Sequence, residues 1–173
     1  MKLTIITPVH RIQYLGAISK TIPEDVRWLC IFDDTIPTEI RDKATCLSMP
    51  KVKSSWGVAK INFALDFVSN GYVYILDDDT ILHSNFQVLL TLNSSFDFIH
   101  FNQCWKNGEP RVGGIVKKGK IDIGNFIVSR ELIEDTYLED GNMPDGAWAE
   151  KLYVKAKNPL YLNKTFSIYN YLR

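Results

Sequence analysis

Three consecutive carboxylates, Asp77-Asp78-Asp79, close the apolar run Tyr72-Val73-Tyr74-Ile75-Leu76. The run has the β-branched and aromatic make-up of a strand covered on both faces. Like charges crowded at the end of a buried strand repel one another and lose hydration, so they require a cation or an array of donors. The simplest cations for such oxygen ligands are Mg2+ and Mn2+, which bridge carboxylates to substrate phosphates. The alternative is a solvated acidic turn that caps the next helix. Two other predicted strands also end in polar clusters, Thr7-Pro8-Val9-His10-Arg11 and Asp33-Asp34. Ligands of open parallel sheets bind beyond the carboxyl ends of the strands, where an aspartate accepts from a ribose hydroxyl or a base N–H. Neither GxGxxG nor GxxxxGK[ST] occurs, so a metal is expected to do the phosphate binding that backbone amides do in those motifs.

The elements that must position these residues alternate. Leu3 to Thr7 reads as a strand stopped by Pro8, and Ile12, Leu15, Ile18 and Ile22 recur at helical spacing. Val26 to Phe32 is a second strand, Thr38 to Leu47 a second helix with Glu39 in its first turn, and Val58 to Val68 a third helix. Past the aspartates, a helix over Phe86 to Leu92 and a strand over Phe96 to Phe101 are expected. Arg111 to Val116 and Lys120 to Val128 read as a hairpin around Lys117-Lys118-Gly119. Arg130 to Leu138 and Ala147 to Ala156 read as helices, and Pro159 to Tyr171 is extended. This rhythm predicts one α/β domain over residues 1–173, with a mostly parallel central sheet, helices on both sides, a nucleotide-type amino-terminal half (1–80) and a mixed carboxy-terminal half (81–173).

Composition narrows the function classes. The chain of 173 residues is 46% hydrophobic, enough for a core of its own. Twenty basic residues balance twenty acidic ones, so no bulk attraction to nucleic acid or anionic membrane is expected. The three cysteines lack metal-type spacing, and Cys30 lies inside an apolar strand as a buried thiol. Met1 to Pro8 is too short for a signal peptide, and no apolar run approaches the roughly 18 residues of a membrane span. A cytoplasmic location is expected, with the sequons at Asn93 and Asn163 unmodified.

Several segments are similar to the GT-A fold glycosyltransferases, which use nucleotide-activated sugars. Leu3 to Arg11 resembles their opening strand, Trp56 to Leu65 the loop and helix before the metal strand, and Asp77-Asp78-Asp79 their Asp-X-Asp signature. Met143 to Leu152 resembles the acidic segment opening their late helix. The resemblance spans essentially the whole chain and implies a Mn2+ or Mg2+ cofactor, a UDP-, GDP- or TDP-type sugar donor, and a glycan or other hydroxyl acceptor handled by the carboxy-terminal half. It implies that Pro8, His10 and Arg11 border the nucleotide, that Asp33 or Asp34 contacts base or ribose, and that Lys60 and Asn62 face diphosphate or sugar. Asp77 and Asp78 would reach the ribose and the metal's water shell, and Asp79 would ligate the metal. Asp145 would deprotonate the acceptor and give inversion, with Glu150 as the alternative base.

Blander readings stand beside these. Asp145 after Pro144 also suits a helix N-cap. Asp122 and Asn125 line a sugar or a hairpin surface, Trp105 and Trp148 stack on a sugar or fill core and rim, and His83 and His100 are surface or satisfied histidines. A phosphatase of the Asp-X-Asp-X-Thr type would need Thr where Ile81 stands, and a nucleotidyltransferase would need a Gly-rich basic loop. A non-catalytic nucleotide-sugar or carbohydrate-binding module and a retaining transferase of the same fold are the remaining alternatives.

Overall fold

Ile5 and Ile6 are both fully buried, yet they belong to different cores. Successive strand side chains point to opposite faces, so a strand apolar at every position must be covered on both sides. The computed structural model describes residues 1–36, 43–54, 57–93 and 95–173. In chain order the strands are β1 (Leu3–Pro8), β2 (Arg27–Asp33), β3 (Thr45–Met49), β4 (Tyr72–Ile75), β5 (Ile81–Leu82), β6 (Phe98–Trp105), β7 (Pro110–Val112), β8 (Phe126–Ser129) and β9 (Pro159–Tyr169). The helices are α1 (Leu15–Ser19), α2 (Val58–Leu65), α3 (Gln87–Leu90), α4 (Arg130–Ile133) and α5 (Pro144–Lys155). The nine strands among the described residues join one sheet in the order β3-β2-β1-β4-β8-β6-β9-β5, with β7 paired to β6 off this path.

The sheet is mixed, which corrects the expectation of a mostly parallel one. β3, β2, β1 and β4 run parallel, as do β6 and β9, whereas the β4–β8, β6–β8, β6–β7 and β5–β9 pairings are antiparallel. On one face α2 and α5 bring Val58, Ile61, Leu65, Trp148 and Leu152 onto Ile6, Ile31 and Val73. On the other, α1 and α3 bring Leu15, Ile18 and Leu89 onto Ile5, Trp28 and Tyr74. No helix among the described residues is long and apolar enough to cross a membrane.

Three local expectations are corrected. Of the helix expected over Thr38 to Leu47, residues 38–42 (Glu39 included) lie outside the described residues, while Thr45–Met49 is strand β3, with Cys46 opposite Cys30. Pairing with the edge of β2 outweighs a weak helical pattern there. No hairpin forms around Lys117-Lys118-Gly119. β7 instead turns back on β6, and Asp122 opens a 3-10 turn over Ile123–Asn125 as half of a capping box with Asn125. The helix after Arg130 ends at Ile133, because Glu134 adopts a φ of 45° that an α-helix cannot continue.

Candidate active site

The parallel pairing of β1 with β4, Ile6 opposite Ile75, sets the ends of these strands side by side and brings His10 and Arg11 onto the three aspartates. Asp78 is 1% exposed and fully engaged. It accepts the backbone N–H of His10 at 2.5 Å, that of Arg11 at 2.6 Å, Arg11 Nε at 2.8 Å, and Arg11 Nη2. Asp78 thereby pins the turn after β1 while lining the main cavity. Asp79 Oδ2 receives two guanidiniums, Arg11 Nη2 at 2.9 Å and Arg173 Nε at 2.6 Å, and the Leu172 N–H donates to its backbone carbonyl at 3.1 Å.

Asp77 differs from both neighbours. Its carboxylate has no hydrogen bond or ion pair among the described residues and lines the main cavity. Burial, then Asp122, Asp79, Asp78 and Asp145, push its pKa well above the ordinary carboxylate value. With the folded value raised, the native state holds a proton that the unfolded chain has lost, so stability falls as pH climbs from about 4 through that raised value. Asp77→Asn is accordingly expected to raise the unfolding temperature at pH 7 in chelator, and a lower one measured by calorimetry would mean that the carboxylate has a partner.

A cavity of about 710 Å³ unites Pro8, His10, Arg11, Asp77, Asp78 and Asp79 with Asp122, Asp145, Tyr169 and Arg173. Asp145 enters it from the first turn of α5. Pro144 occupies the first helical position, where its missing N–H costs nothing, and Met143 is the cap residue at φ 55°. Asp145 is thus the second helical residue rather than the N-cap. Gly146 lets the helix approach closely, since a Cβ there would come within 3.0 Å of Lys118 Cα. Burial and the charge of Asp122 raise the Asp145 pKa, opposed by the amides of Gly146 and Ile123. Glu150, the alternative base, does not line the cavity.

A second cavity of about 460 Å³ shares His10 with the first and is lined by Asp33, Lys51, Lys53 and Lys60. Lys60 is 4% exposed and donates to the Val9 carbonyl at 2.5 Å, with Asp33 Oδ2 at 2.9 Å and His10 Nδ1 at 3.3 Å. Burial and then Lys60 lower the His10 pKa, keeping the imidazole neutral. Gly57 closes this region at φ 76°, where a Cβ would sit 2.9 Å from Pro8 Cβ. Trp56, beside it in the segment that resembles the glycosyltransferases, lies outside the described residues. Asp34 lines neither cavity and accepts from the Lys51 N–H, and Asn62 binds both the N–H and the carbonyl of Leu138. Asn62 thereby ties α2 to the loop before α5.

Three contributors carry no signal in the sequence. Arg111 pairs with Asp122 at 2.8 Å, donates to Gln103 Oε1 at 2.6 Å, and lies 3.5 Å over the Tyr169 ring. Tyr169 and Arg173 reach the main cavity only because β9 returns beside β6 and the chain then crosses Asp79. Trp148 is a core residue donating to the Thr136 carbonyl, and Trp105 is a 40% exposed rim residue meeting the edge of Tyr169. Asn125 is buried and donates to the Phe101 carbonyl, while His83 caps a turn through Asn85. His100 is neither surface nor satisfied: it is buried against Tyr161, with Nδ1 unpartnered among the described residues.

The donor set suits a hard divalent cation. Asp77 is an open carboxylate oxygen donor in a crowd of like charge, and Asp79 retains Oδ1 with only a long 3.4 Å contact from Thr80. No three acidic, histidine or cysteine groups among the described residues cage an ion by themselves. Mg2+ ordinarily takes one or two carboxylates and completes its shell with water and substrate phosphates.

Solved structures with the same architecture decide the fold. S. aureus TarS (residues 1–349) superposes with a TM-score of 0.73 over 97% of this chain and 60% of its own, at 16% identity. The same protein in complex with UDP-GlcNAc gives 0.73 over 97% and 58%, at 15% identity. Mannosyltransferase PcManGT from Pyrobaculum calidifontis, in complex with GDP-Man and Mn2+, gives 0.69 over 96% and 56%, at 13% identity. The fold is that of the GT-A-like glycosyltransferases. The chain spans at most about 60% of the length of these neighbours. No protein-family model matches it, and no curated protein does.

Proposed function

We propose that this protein transfers a sugar from a nucleoside-diphosphate sugar to a hydroxyl of a glycan or similar acceptor, with inversion at the anomeric carbon. One observation carries the reading: two carboxylates of raised pKa, Asp77 at the end of β4 and Asp145 on α5, share one cavity with His10 and Arg11. The neighbours that bind UDP-GlcNAc and GDP-Man support it through their fold. The base and ribose belong in the smaller cavity beside Asp33, and the sugar belongs in the larger one. Asp77, with Asp79 Oδ1, would hold Mn2+ or Mg2+. When bound, such an ion neutralises charge developing on the departing diphosphate. Asp145 takes the acceptor hydroxyl proton as that oxygen bonds to the anomeric carbon and the bond to the diphosphate oxygen breaks on the opposite side.

Calorimetric titration with UDP-, GDP- and TDP-sugars, in Mn2+ and in chelator, tests this directly. One nucleotide class is expected to bind more tightly with Mn2+. Asp77→Ala is expected to remove that Mn2+ dependence, at a cost of at least the about tenfold that loss of even an outer-shell partner brings. Unchanged metal dependence would take Asp77 out of the ligand set. Absence of binding by every sugar nucleotide would return the acidic strand end to a capping role, and binding without transfer would leave a binding module.

A further inference from the structure

We infer that Arg11 and Arg173 form a clamp that binds a diphosphate directly, so that the protein holds this group even without a metal. In naming the donor's diphosphate as the ligand, the inference rests on the glycosyl-transfer reading; the clamp itself stands on its own geometry. Both guanidiniums meet on one oxygen, Asp79 Oδ2, at 2.9 and 2.6 Å, and both line the main cavity. Two cations brought together repel, and a single carboxylate oxygen satisfies few of their N–H groups.

A guanidinium carries five N–H donors. Arg11 spends Nε and Nη2 on Asp78 and Asp79, and Arg173 spends Nε alone. Among the described residues, Arg11 Nη1 and both terminal nitrogens of Arg173 donate no hydrogen bond. The Arg173 side chain is 51% exposed, so half of it remains open beside the buried Asp79. Its segment is nonetheless held in place by the Leu172 N–H on the Asp79 carbonyl.

The rest of the cavity wall decides where an anion can go. Asp77, Asp122 and Asp145 repel it from the other sides, Asp78 and Asp79 offset part of the arginine charge, and among the described residues no lysine lines this cavity. Lys60 is spent on Val9, Asp33 and His10 in the other one. The chain also lacks a Gly-rich loop to offer backbone amides. A planar fork matches phosphate oxygens in pairs, which an ammonium cannot do. The diphosphate therefore lies against Arg11 and Arg173, with Asp77 left open in the same cavity.

The test is calorimetric titration of the whole chain with inorganic pyrophosphate in EDTA at low salt. The unmodified protein is expected to bind saturably. Arg173→Gln should weaken binding about tenfold, as expected for loss of a charge-assisted contact. Arg173→Lys should recover only part of the loss, Lys164→Gln outside both cavities should lose nothing, and the unfolding temperature of each should stay close to the parent. No saturable binding in EDTA, full binding by Arg173→Gln, or an equal loss in Lys164→Gln would overturn the clamp. The two readings fail separately. Pyrophosphate binding without any sugar-nucleotide binding defeats the transferase and leaves the clamp. Mn2+-dependent sugar-nucleotide binding with no pyrophosphate binding in EDTA defeats the clamp alone.

Discussion

Asp145→Asn is expected to lower turnover about a thousandfold while leaving donor affinity within about twofold, because positioned proton transfer contributes roughly 10²–10⁴ in rate. The amide keeps the shape of the carboxylate and its place in the first turn of α5 but cannot accept the acceptor's proton. Rapid-mixing single-turnover kinetics and calorimetry on the same sample separate the two effects. Normal turnover would move the base elsewhere, and a matching loss of affinity would make Asp145 a binding group. The pH profile offers an independent reading. Burial and Asp122 raise the Asp145 pKa, and only the unprotonated form accepts a proton. The rate should therefore fall on acidification through a midpoint above the ordinary carboxylate value of about 4. Asp122→Asn removes a like charge and should shift that midpoint to lower pH. A midpoint that stays put would mean that the limb belongs to another group.

Asp78→Ala is expected to cost roughly 3 kcal/mol of stability, the low end for removing one partner of a buried ion pair, since Arg11 still reaches solvent. The loss has two sources: the backbone N–H groups of His10 and Arg11 lose their acceptor, and a guanidinium loses the carboxylate that balances it. For a chain of this length the corresponding fall in unfolding temperature is about 10 °C. Hydrogen exchange at His10 and Arg11 should quicken more than in β2. A drop under about 1 kcal/mol, the scale of a surface pair, would show that the turn after β1 holds without Asp78. Donor binding should fall as well, because His10 and Arg11 border both cavities.

Much of the amino-terminal half was legible because its signals are local. Strands such as Leu3–Pro8 and Tyr72–Ile75 are apolar at every position, a pattern that only burial on both faces explains. Two of the three polar clusters that stop such strands line one cavity, Pro8, His10 and Arg11 with the three aspartates, while Asp33 lines the second cavity and Asp34 neither. The carboxy-terminal half was less legible because its strands take their identity from partners. Pro110–Val112 is a strand only against Gln103 and Cys104. The amino-terminal half has one such case, Thr45–Met49, which is a strand only against β2.

The sequence by itself determined that carboxylates would accumulate at the end of a buried strand and that something positive would have to stand against them. Repulsion and desolvation require this whatever the fold around them. Which carboxylate stays open was decided by tertiary structure alone. Asp77, Asp78 and Asp79 are chemically identical neighbours. Strand pairing turns Asp78 onto the amides after β1, the path of the chain beyond β9 brings Arg173 onto Asp79, and Asp77 is left facing Asp122 and Asp145. Those partners lie far from the aspartates along the chain, and no local pattern encodes a contact made only when the sheet closes.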